Sequence, residues 1–138
     1  MKISLVYWSG TGNTEAMAKF IAEGAAAAGA QVEAKAVGAA AAGDVHGADL
    51  VVLGCPSMGD EALEEYEFSP FLENVLPTLK NKKVALFGSY GWGDGRWMRE
   101  WQEKMSAAGC LLAADGLMVN GAPEGEECKK FGELLAKA

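Results

Sequence analysis

The run Asp49-Leu-Val-Val-Leu-Gly-Cys55 constrains the fold more than any other part of the chain. Its apolar residues follow one another without polar alternation, which predicts a strand buried on both faces. Such strands belong to parallel sheets, because crossover helices cover both faces of a parallel sheet. A second run of this kind, Lys83-Val-Ala-Leu-Phe-Gly88, supports the same interpretation. The sequence therefore predicts an α/β fold.

The other elements alternate strand with helix along the chain. Apolar periodicity predicts further strands at 3–8, 31–37 and 110–119. It predicts helices beginning at residue 14 and over 68–79, 96–108 and 124–137, the last with an inward stripe of Cys128, Phe131, Leu134 and Leu135. The Ala/Gly-rich stretch 38–48 predicts no more than one short helix. Together these elements indicate a doubly wound sheet with right-handed crossovers.

The length of the chain, 138 residues, is that of one ordinary domain, and we expect residues 1–138 to form a single unit. No apolar run approaches the roughly 20 residues of a membrane span. The N-terminal apolar run is too short for a signal peptide, so a cytoplasmic location is expected. Three widely spaced cysteines and a single histidine predict neither a disulfide framework nor a metal site.

The net charge of the chain limits the kinds of molecule that it is expected to bind. Twelve Lys and Arg against nineteen Asp and Glu give a net charge of −7, which argues against binding to nucleic acid or an anionic membrane. No basic residue lies between Lys35 and Lys80, where the following acidic residues fall: Asp44, Asp49, Asp60, Glu61, Glu64, Glu65, Glu67 and Glu73. This acidic stretch is either a solvated face or a surface for a basic partner protein.

In doubly wound sheets, ligands bind beyond the carboxyl ends of the strands, where the winding reverses direction. The first loop (residues 9–14), the second loop (56–66) and the third loop (89–95) are therefore the candidate ligand loops.

The first loop reads Ser9-Gly-Thr-Gly-Asn-Thr14 and lies between a strand and a helix. Its glycines allow backbone N–H groups to converge on an anion, and the helix N-terminus adds the positive end of its dipole. The loop matches neither of two common nucleotide-binding motifs. The Walker motif requires a Lys that is absent here, and the dinucleotide-binding motif requires a glycine at the position of Glu15. The loop thus predicts a phosphate site made of neutral donors, the weaker alternative being an ordinary capped turn.

Three segments occur in order at the predicted element ends: Tyr7-Trp-Ser-Gly-Thr-Gly-Asn-Thr14, Met58-Gly-Asp-Glu61 and Gly88-Ser-Tyr-Gly-Trp-Gly-Asp-Gly95. With these segments the chain resembles the short-chain flavodoxins over its whole length. The resemblance implies a flavodoxin-like three-layer α/β/α sandwich whose five-stranded parallel sheet has the family's order, 2-1-3-4-5. It also implies a low-potential one-electron carrier, not an enzyme, whose non-covalently bound FMN cycles between semiquinone and hydroquinone.

The resemblance further implies which residues bind the cofactor. They come from all three loops: Ser9, Gly10, Thr11, Gly12, Asn13, Thr14, Pro56, Ser57, Met58, Gly59, Asp60, Glu61, Ser89, Tyr90, Gly91, Trp92 and Gly93. Trp92 is expected on the outer face of the flavin ring and Met58 on the inner face, with Tyr90 at an edge. Glu61 is expected to accept the ring's N3–H. Some relatives carry a hydroxyl residue where this chain has Pro56, so Ser57 or a water molecule is expected to bind part of the phosphate.

Two redox expectations concern the second loop. Family resemblance gives the Gly59 carbonyl to the flavin N5–H, and a glycine at this position permits the positive φ of a type II′ turn, so that the Gly59–Asp60 peptide can flip. Carboxylates close to a reduced, anionic flavin disfavour its charge. Neutralising Asp60, Glu64 or Glu65 is therefore expected to raise the lower potential.

Two other functions of this fold are alternatives to the electron carrier, and the sequence disfavours both. A quinone or nitro reductase of the same fold needs a substrate pocket over the ring, and the loops of this chain are short for that purpose. A signalling receiver domain needs a phospho-accepting Asp after the third strand, where this chain has Cys55-Pro56. We therefore expect a monomeric carrier that transiently binds redox partners through a basic face of the partner.

Overall fold

The computed structural model describes residues 1–138 as one sheet with helices on both faces. The strands are β1 (Lys2–Tyr7), β2 (Gln31–Ala36), β3 (Leu50–Gly54), β4 (Lys83–Tyr90), β5 (Leu111–Leu112) and β6 (Leu117–Asn120). The helices are α1 (Asn13–Ala27), α2 (Gly43–His46), α3 (Phe68–Val75), α4 (Arg96–Ala107) and α5 (Gly125–Ala136). Short 3₁₀ turns occur at Val37–Ala39, Gly59–Glu61 and Leu76–Thr78.

All strand pairs are parallel, and their order is β2-β1-β3-β4-β5, with β6 also paired to β4. This confirms the expected order 2-1-3-4-5. Register aligns Tyr7 with Gly54 and Gly54 with Phe87. The carboxyl ends of β1, β3 and β4 therefore meet at one edge of the sheet, where the three candidate loops begin.

The packing of the central strand β3 explains why its sequence does not alternate between apolar and polar residues. Val51 and Leu53 pack in the core between the sheet and the α3 and α4 layer. Leu50 and Val52 pack on the opposite face, in the core formed with α1 and α5. Because both faces are covered, every position of β3 is buried. The predicted burial of this strand is confirmed.

The fifth strand differs from the single strand predicted over 110–119. It forms two pieces, β5 beside the start of β4 and β6 beside its end. Between them the chain leaves the ladder, and the Gly116 N–H donates to Gln102 Oε1 at 2.7 Å. At Gly116 a Cβ would lie 2.4 Å from Met98 Sδ, so any larger residue would require the Met98 side chain of α4 to move.

Helices α1 and α5 pack in direct backbone contact. A Cβ on Gly24 would lie 2.0 Å from the Lys129 carbonyl oxygen, and one on Gly132 would lie 2.1 Å from the Ile21 carbonyl oxygen. This contact fixes which face of α5 points inward. Gly132 is buried there, whereas Leu134 is 55% exposed, so the prediction that Leu134 belongs to the inward stripe is wrong.

The Ala/Gly-rich stretch forms the one short helix expected of it, α2, after a 3₁₀ turn. Val45 anchors this helix because its side chain is completely buried. None of the helices is both long enough and apolar enough to cross a membrane.

Candidate functional site

The first loop leaves several backbone donors open. Gly12, at φ 100°, precedes α1, and Ser9 Oγ accepts the N–H groups of Gly12 at 3.2 Å and Glu15 at 3.1 Å. These bonds shape the loop from within. The following backbone N–H groups have no acceptor inside the protein: Gly10, Thr11, Asn13 and Thr14. Open N–H groups beside the N-terminus of a long helix form a site suited to an anion.

Thr14 joins the first loop to the third. Its side chain is buried, and Thr14 Oγ1 lies 2.9 Å from Ser89 Oγ. The Ser89 N–H also donates to Thr14 Oγ1, at 3.4 Å. The Ser57 N–H donates to the Ser89 carbonyl at 3.0 Å, which ties in the second loop. The Thr14 hydroxyl, predicted as a phosphate donor, is thus shared with Ser89, while its backbone N–H remains open.

One cavity of about 290 Å³ collects residues from all three loops. Its lining comprises Trp8, Gly10, Thr11, Asn13, Pro56, Ser57, Met58, Ser89, Tyr90, Gly91 and Gly121. Gly121, which sequence reasoning missed, follows β6 and donates its N–H to the Tyr90 carbonyl at 3.0 Å. The signal that could have found it is topological, since β6 ends beside the end of β4. Tyr90 itself belongs to β4, and its ring lies 5.5 Å from that of Trp97.

Several predicted site residues lie on the second and third loops outside this cavity: Gly59, Asp60, Glu61, Trp92 and Gly93. The Met58 N–H donates to the Ala62 carbonyl at 2.8 Å and closes a turn around the first three of these residues. Positive φ occurs at Asp60 (63°) and Glu61 (50°), not at Gly59. The turn is therefore not of the type II′ geometry that the peptide flip would require at Gly59. Asp tolerates left-handed backbone better than most residues.

Glu61 and Trp92 each carry a group that has no partner in the protein. Glu61 Oε2 is buried without a hydrogen-bond partner, although buried carboxylate oxygens normally find a donor. The same side chain packs on Gly93, where a Cβ would lie 2.3 Å from Glu61 Oε1. Trp92 is 63% exposed, which is costly for a large aromatic unless a ligand or partner covers it. A planar ligand with an N–H donor would suit both groups.

Glu64 has a role that sequence reasoning missed. It is only 5% exposed, and its carboxylate accepts the N–H groups of Tyr66 at 2.8 Å, Glu67 at 2.7 Å and Phe68 at 2.7 Å. Burial by itself raises the pKa of the Glu64 carboxyl, but the bonds from Phe68, Glu67 and Tyr66 outweigh it, so the pKa is lowered. Glu64 thus caps the start of α3 and does not belong to an exposed acidic face.

The other acidic residues fall into two groups. Asp44 pairs with Lys35 at 3.0 Å, and Glu73 pairs with Lys104. The remaining carboxylates at and beside the second loop form no ion pair: Asp60, Glu61, Glu65 and Glu67. Carboxylates without an ion-pair partner are therefore concentrated beside the turn that carries Glu61, and the Arg96 guanidinium, bonded to the Asp60 carbonyl at 2.7 Å, lies next to them.

The sequence of this chain matches a family model described as flavodoxin over residues 5–132. A flavodoxin of Clostridium beijerinckii is 46% identical over 136 residues, which cover 97% of this chain and 99% of the relative. The chain belongs to the flavodoxin family. A flavodoxin of Megasphaera elsdenii is 45% identical over 136 residues, 99% of either protein. The solution structure of two-electron reduced Megasphaera elsdenii flavodoxin superposes with a TM-score of 0.91 at 47% identity, covering 99% of both chains.

Flavodoxins bind FMN and carry electrons between redox proteins, so this chain is an FMN-binding electron carrier and not an enzyme. The residues present fit such a cofactor. The first loop of this flavodoxin offers open N–H donors to a phosphate. Its second and third loops offer an unpartnered carboxylate oxygen and an exposed indole to a flat ring.

Proposed function

We propose that this flavodoxin holds the FMN phosphate in its first loop and the flavin ring between its second and third loops, and that it transfers electrons at low potential. The open N–H groups at Gly10, Thr11, Asn13 and Thr14 carry this proposal. When bound, FMN supplies the one-electron chemistry. The protein's own residues orient the cofactor and set the charge around it.

The phosphate end relies on neutral donors. No Lys or Arg side chain hydrogen-bonds to the first loop, so backbone N–H groups and the α1 dipole provide the attraction. Ser9 Oγ already accepts two N–H groups, which leaves its proton free to donate to a phosphate oxygen. Asn13 and Thr11 add side-chain donors, while Pro56 adds none and Ser57 takes its place.

The ring end relies on packing and one acceptor. We assign the outer ring face to Trp92 and the inner face to Met58, because an indole and a thioether both pack well on a flat conjugated surface. Glu61 Oε2 accepts a ring N–H, which satisfies an oxygen that otherwise has no donor. Tyr90 contacts the ring edge from the end of β4.

The low potential follows from the unpaired carboxylates. One carboxylate about 8 Å from an added negative charge, at an effective dielectric of about 40, disfavours that charge by about 1 kcal/mol. This energy corresponds to a potential about 40 mV lower for one electron. Asp60, Glu61 and Glu65 contribute in this way, whereas the Glu73–Lys104 ion pair contributes less because its two charges offset each other.

Partners of this protein are redox proteins that present a basic face and bind transiently. The net charge of −7 and the unpaired carboxylates beside the second loop support this assignment. Raising the ionic strength should therefore weaken the complex, and a complex that tightens with salt would contradict the proposal. We further propose that the protein is a monomer. We also propose a cytoplasmic location, because all three cysteines are buried, unpaired thiols, as a reducing compartment favours.

Anaerobic reduction of the FMN-loaded protein tests the proposal. Stepwise addition of reductant should give two resolved one-electron midpoint potentials, the lower one well below that of free FMN. A single two-electron step at the potential of free FMN would contradict it. Steady oxidation of NAD(P)H by the protein alone would instead indicate a reductase.

A further inference from the structure

Arg96 connects the two loops that we propose flank the flavin ring. It is the first residue of α4 and directly follows the third loop. Its Nη2 donates to the carbonyl oxygen of Asp60, in the second loop, at 2.7 Å. Its Nε also pairs with Glu100 Oε1 at 3.4 Å, one turn along the helix, which orients the guanidinium. A single side chain therefore joins the turn of Asp60 to the start of α4.

The bond is directed at the backbone and not at a carboxylate. No carboxylate of the second loop forms an ion pair, and Arg96 is the only Lys or Arg side chain that hydrogen-bonds to that loop. The turn that it contacts has two successive residues with positive φ, Asp60 and Glu61. Non-glycine residues in this conformation are unfavourable and persist only where neighbouring contacts hold them.

We propose that Arg96 is a positioning residue that clamps the turn of residues 58–62 against the start of α4, so that the ring cleft is formed before FMN enters. The Met58 N–H is fixed to the Ala62 carbonyl and the Asp60 carbonyl is fixed to Arg96. The Gly59–Asp60 peptide has no partner in the protein. The clamp thus leaves the Gly59–Asp60 peptide free to turn while the Met58 N–H and the Asp60 carbonyl stay in place.

Arg99 provides a matched control on the same helix. Its guanidinium donates to the Asp94 carbonyl at 2.9 Å and to Asp94 Oδ1 at 3.1 Å, within the third loop. The side chains of Arg96 and Arg99 are 54% and 55% exposed. Arg99→Gln therefore removes the same charge at similar exposure without touching the second loop.

Hydrogen exchange in the apoprotein tests the clamp without any cofactor. Arg96→Gln should speed exchange of the Met58 amide about fivefold, the effect of losing one net hydrogen bond. Arg99→Gln should leave Met58 unchanged, and Arg96→Lys, which keeps one donor, should restore part of the protection. Unchanged exchange of the Leu5 amide in the core reports that each variant is folded. Equal Met58 exchange in Arg96→Gln and the wild type would overturn the proposal, as would equal acceleration in Arg99→Gln.

FMN titration adds a second readout, which rests on the proposed placement of the ring. Arg96→Gln should weaken FMN binding about fivefold, and Arg99→Gln less than about twofold. Equal weakening by both variants would show an effect of charge alone and overturn the clamp. Failure of the wild type to bind FMN would contradict the proposed function, and the exchange result would still decide whether Arg96 holds the turn.

Discussion

Backbone N–H groups are open at the first loop, whereas at the end of the second loop they are bonded to a side chain of the protein. In the first loop, the backbone N–H groups of four residues remain without an acceptor in the protein: Gly10, Thr11, Asn13 and Thr14. In the second loop and the entry to α3, Glu64 accepts successive N–H groups and leaves them closed to any ligand. In the proposed function the difference separates two tasks: the open donors anchor a phosphate, whereas the bonds to Glu64 hold the end of the second loop in place beside the ring.

Removing the Glu64 carboxylate should destabilise the second loop and leave the structure of the first loop unchanged. Glu64→Ala should lower the free energy of unfolding by about 3 kcal/mol, because three N–H groups lose a buried acceptor. Chemical denaturation of the apoprotein measures this loss. Glu65→Ala, at the neighbouring exposed position, should change stability by less than about 0.5 kcal/mol. Similar losses in the two variants would show that Glu64 is not the cap.

The same group predicts a pH dependence. The folded-state pKa of Glu64 is lowered, so its contribution to stability is fully present above the unfolded value of about 4.3. It is lost as pH falls through the lower folded pKa. Glu64→Ala should therefore show a shallower loss of stability in acid than the wild type does.

Trp92→Ala tests whether the third loop contacts the flavin ring. Loss of stacking should weaken FMN binding by about 2 kcal/mol, roughly 30-fold. Stability of the apoprotein should hardly change, because Trp92 is mostly exposed. Fluorescence titration with FMN measures the affinity. Tyr66→Ala removes another exposed aromatic side chain from the second loop and should have a much smaller effect; comparable effects would place the ring elsewhere.

Gly59→Thr tests whether the turn changes conformation on reduction. Threonine fits the present turn, because open space surrounds the position of a Cβ on Gly59. It resists positive φ by about 1–2 kcal/mol, which a peptide flip would require at this residue. The gap between the two midpoint potentials should narrow by on the order of 50 mV. An unchanged gap in a redox titration would argue that the turn does not flip.

The smallest effects should come from single charges beside the second loop. Asp60→Asn and Glu65→Gln should each raise the lower potential by about 40 mV. The double variant Glu73→Gln with Lys104→Gln serves as the control, since it removes an ion pair and leaves the net charge unchanged. Potentials that stay flat across Asp60→Asn and Glu65→Gln would refute the electrostatic account of the low potential.

Sequence patterns predicted the features whose causes are local. The continuous apolar run of β3 identified a parallel sheet, and the run of donors in 9–14 identified the first loop. Features set by distant contacts were not predicted. The break in the fifth strand depends on Gln102, 14 residues away, and Leu134 is exposed because glycines set the contact of α5 with α1.

In the second loop, too, the sequence alone could not predict features that depend on distant contacts. Its acidic residues look alike in the sequence, yet Glu64 is buried as a cap while its neighbour Glu65 is exposed. The conformation of Asp60 involves Arg96, 36 residues further along the chain. Only the folded arrangement distinguishes the buried carboxylate that holds the loop from the exposed one that we propose lowers the potential.

Comparison of FMN with riboflavin tests most directly the claim that the first loop anchors the cofactor by its phosphate. Riboflavin keeps the ring and the ribityl chain but lacks the group that the open N–H donors would bind. We predict that FMN binds on the order of 100-fold more tightly, the effect of about two hydrogen bonds to a charged group. Equal affinities for the two flavins would contradict the account.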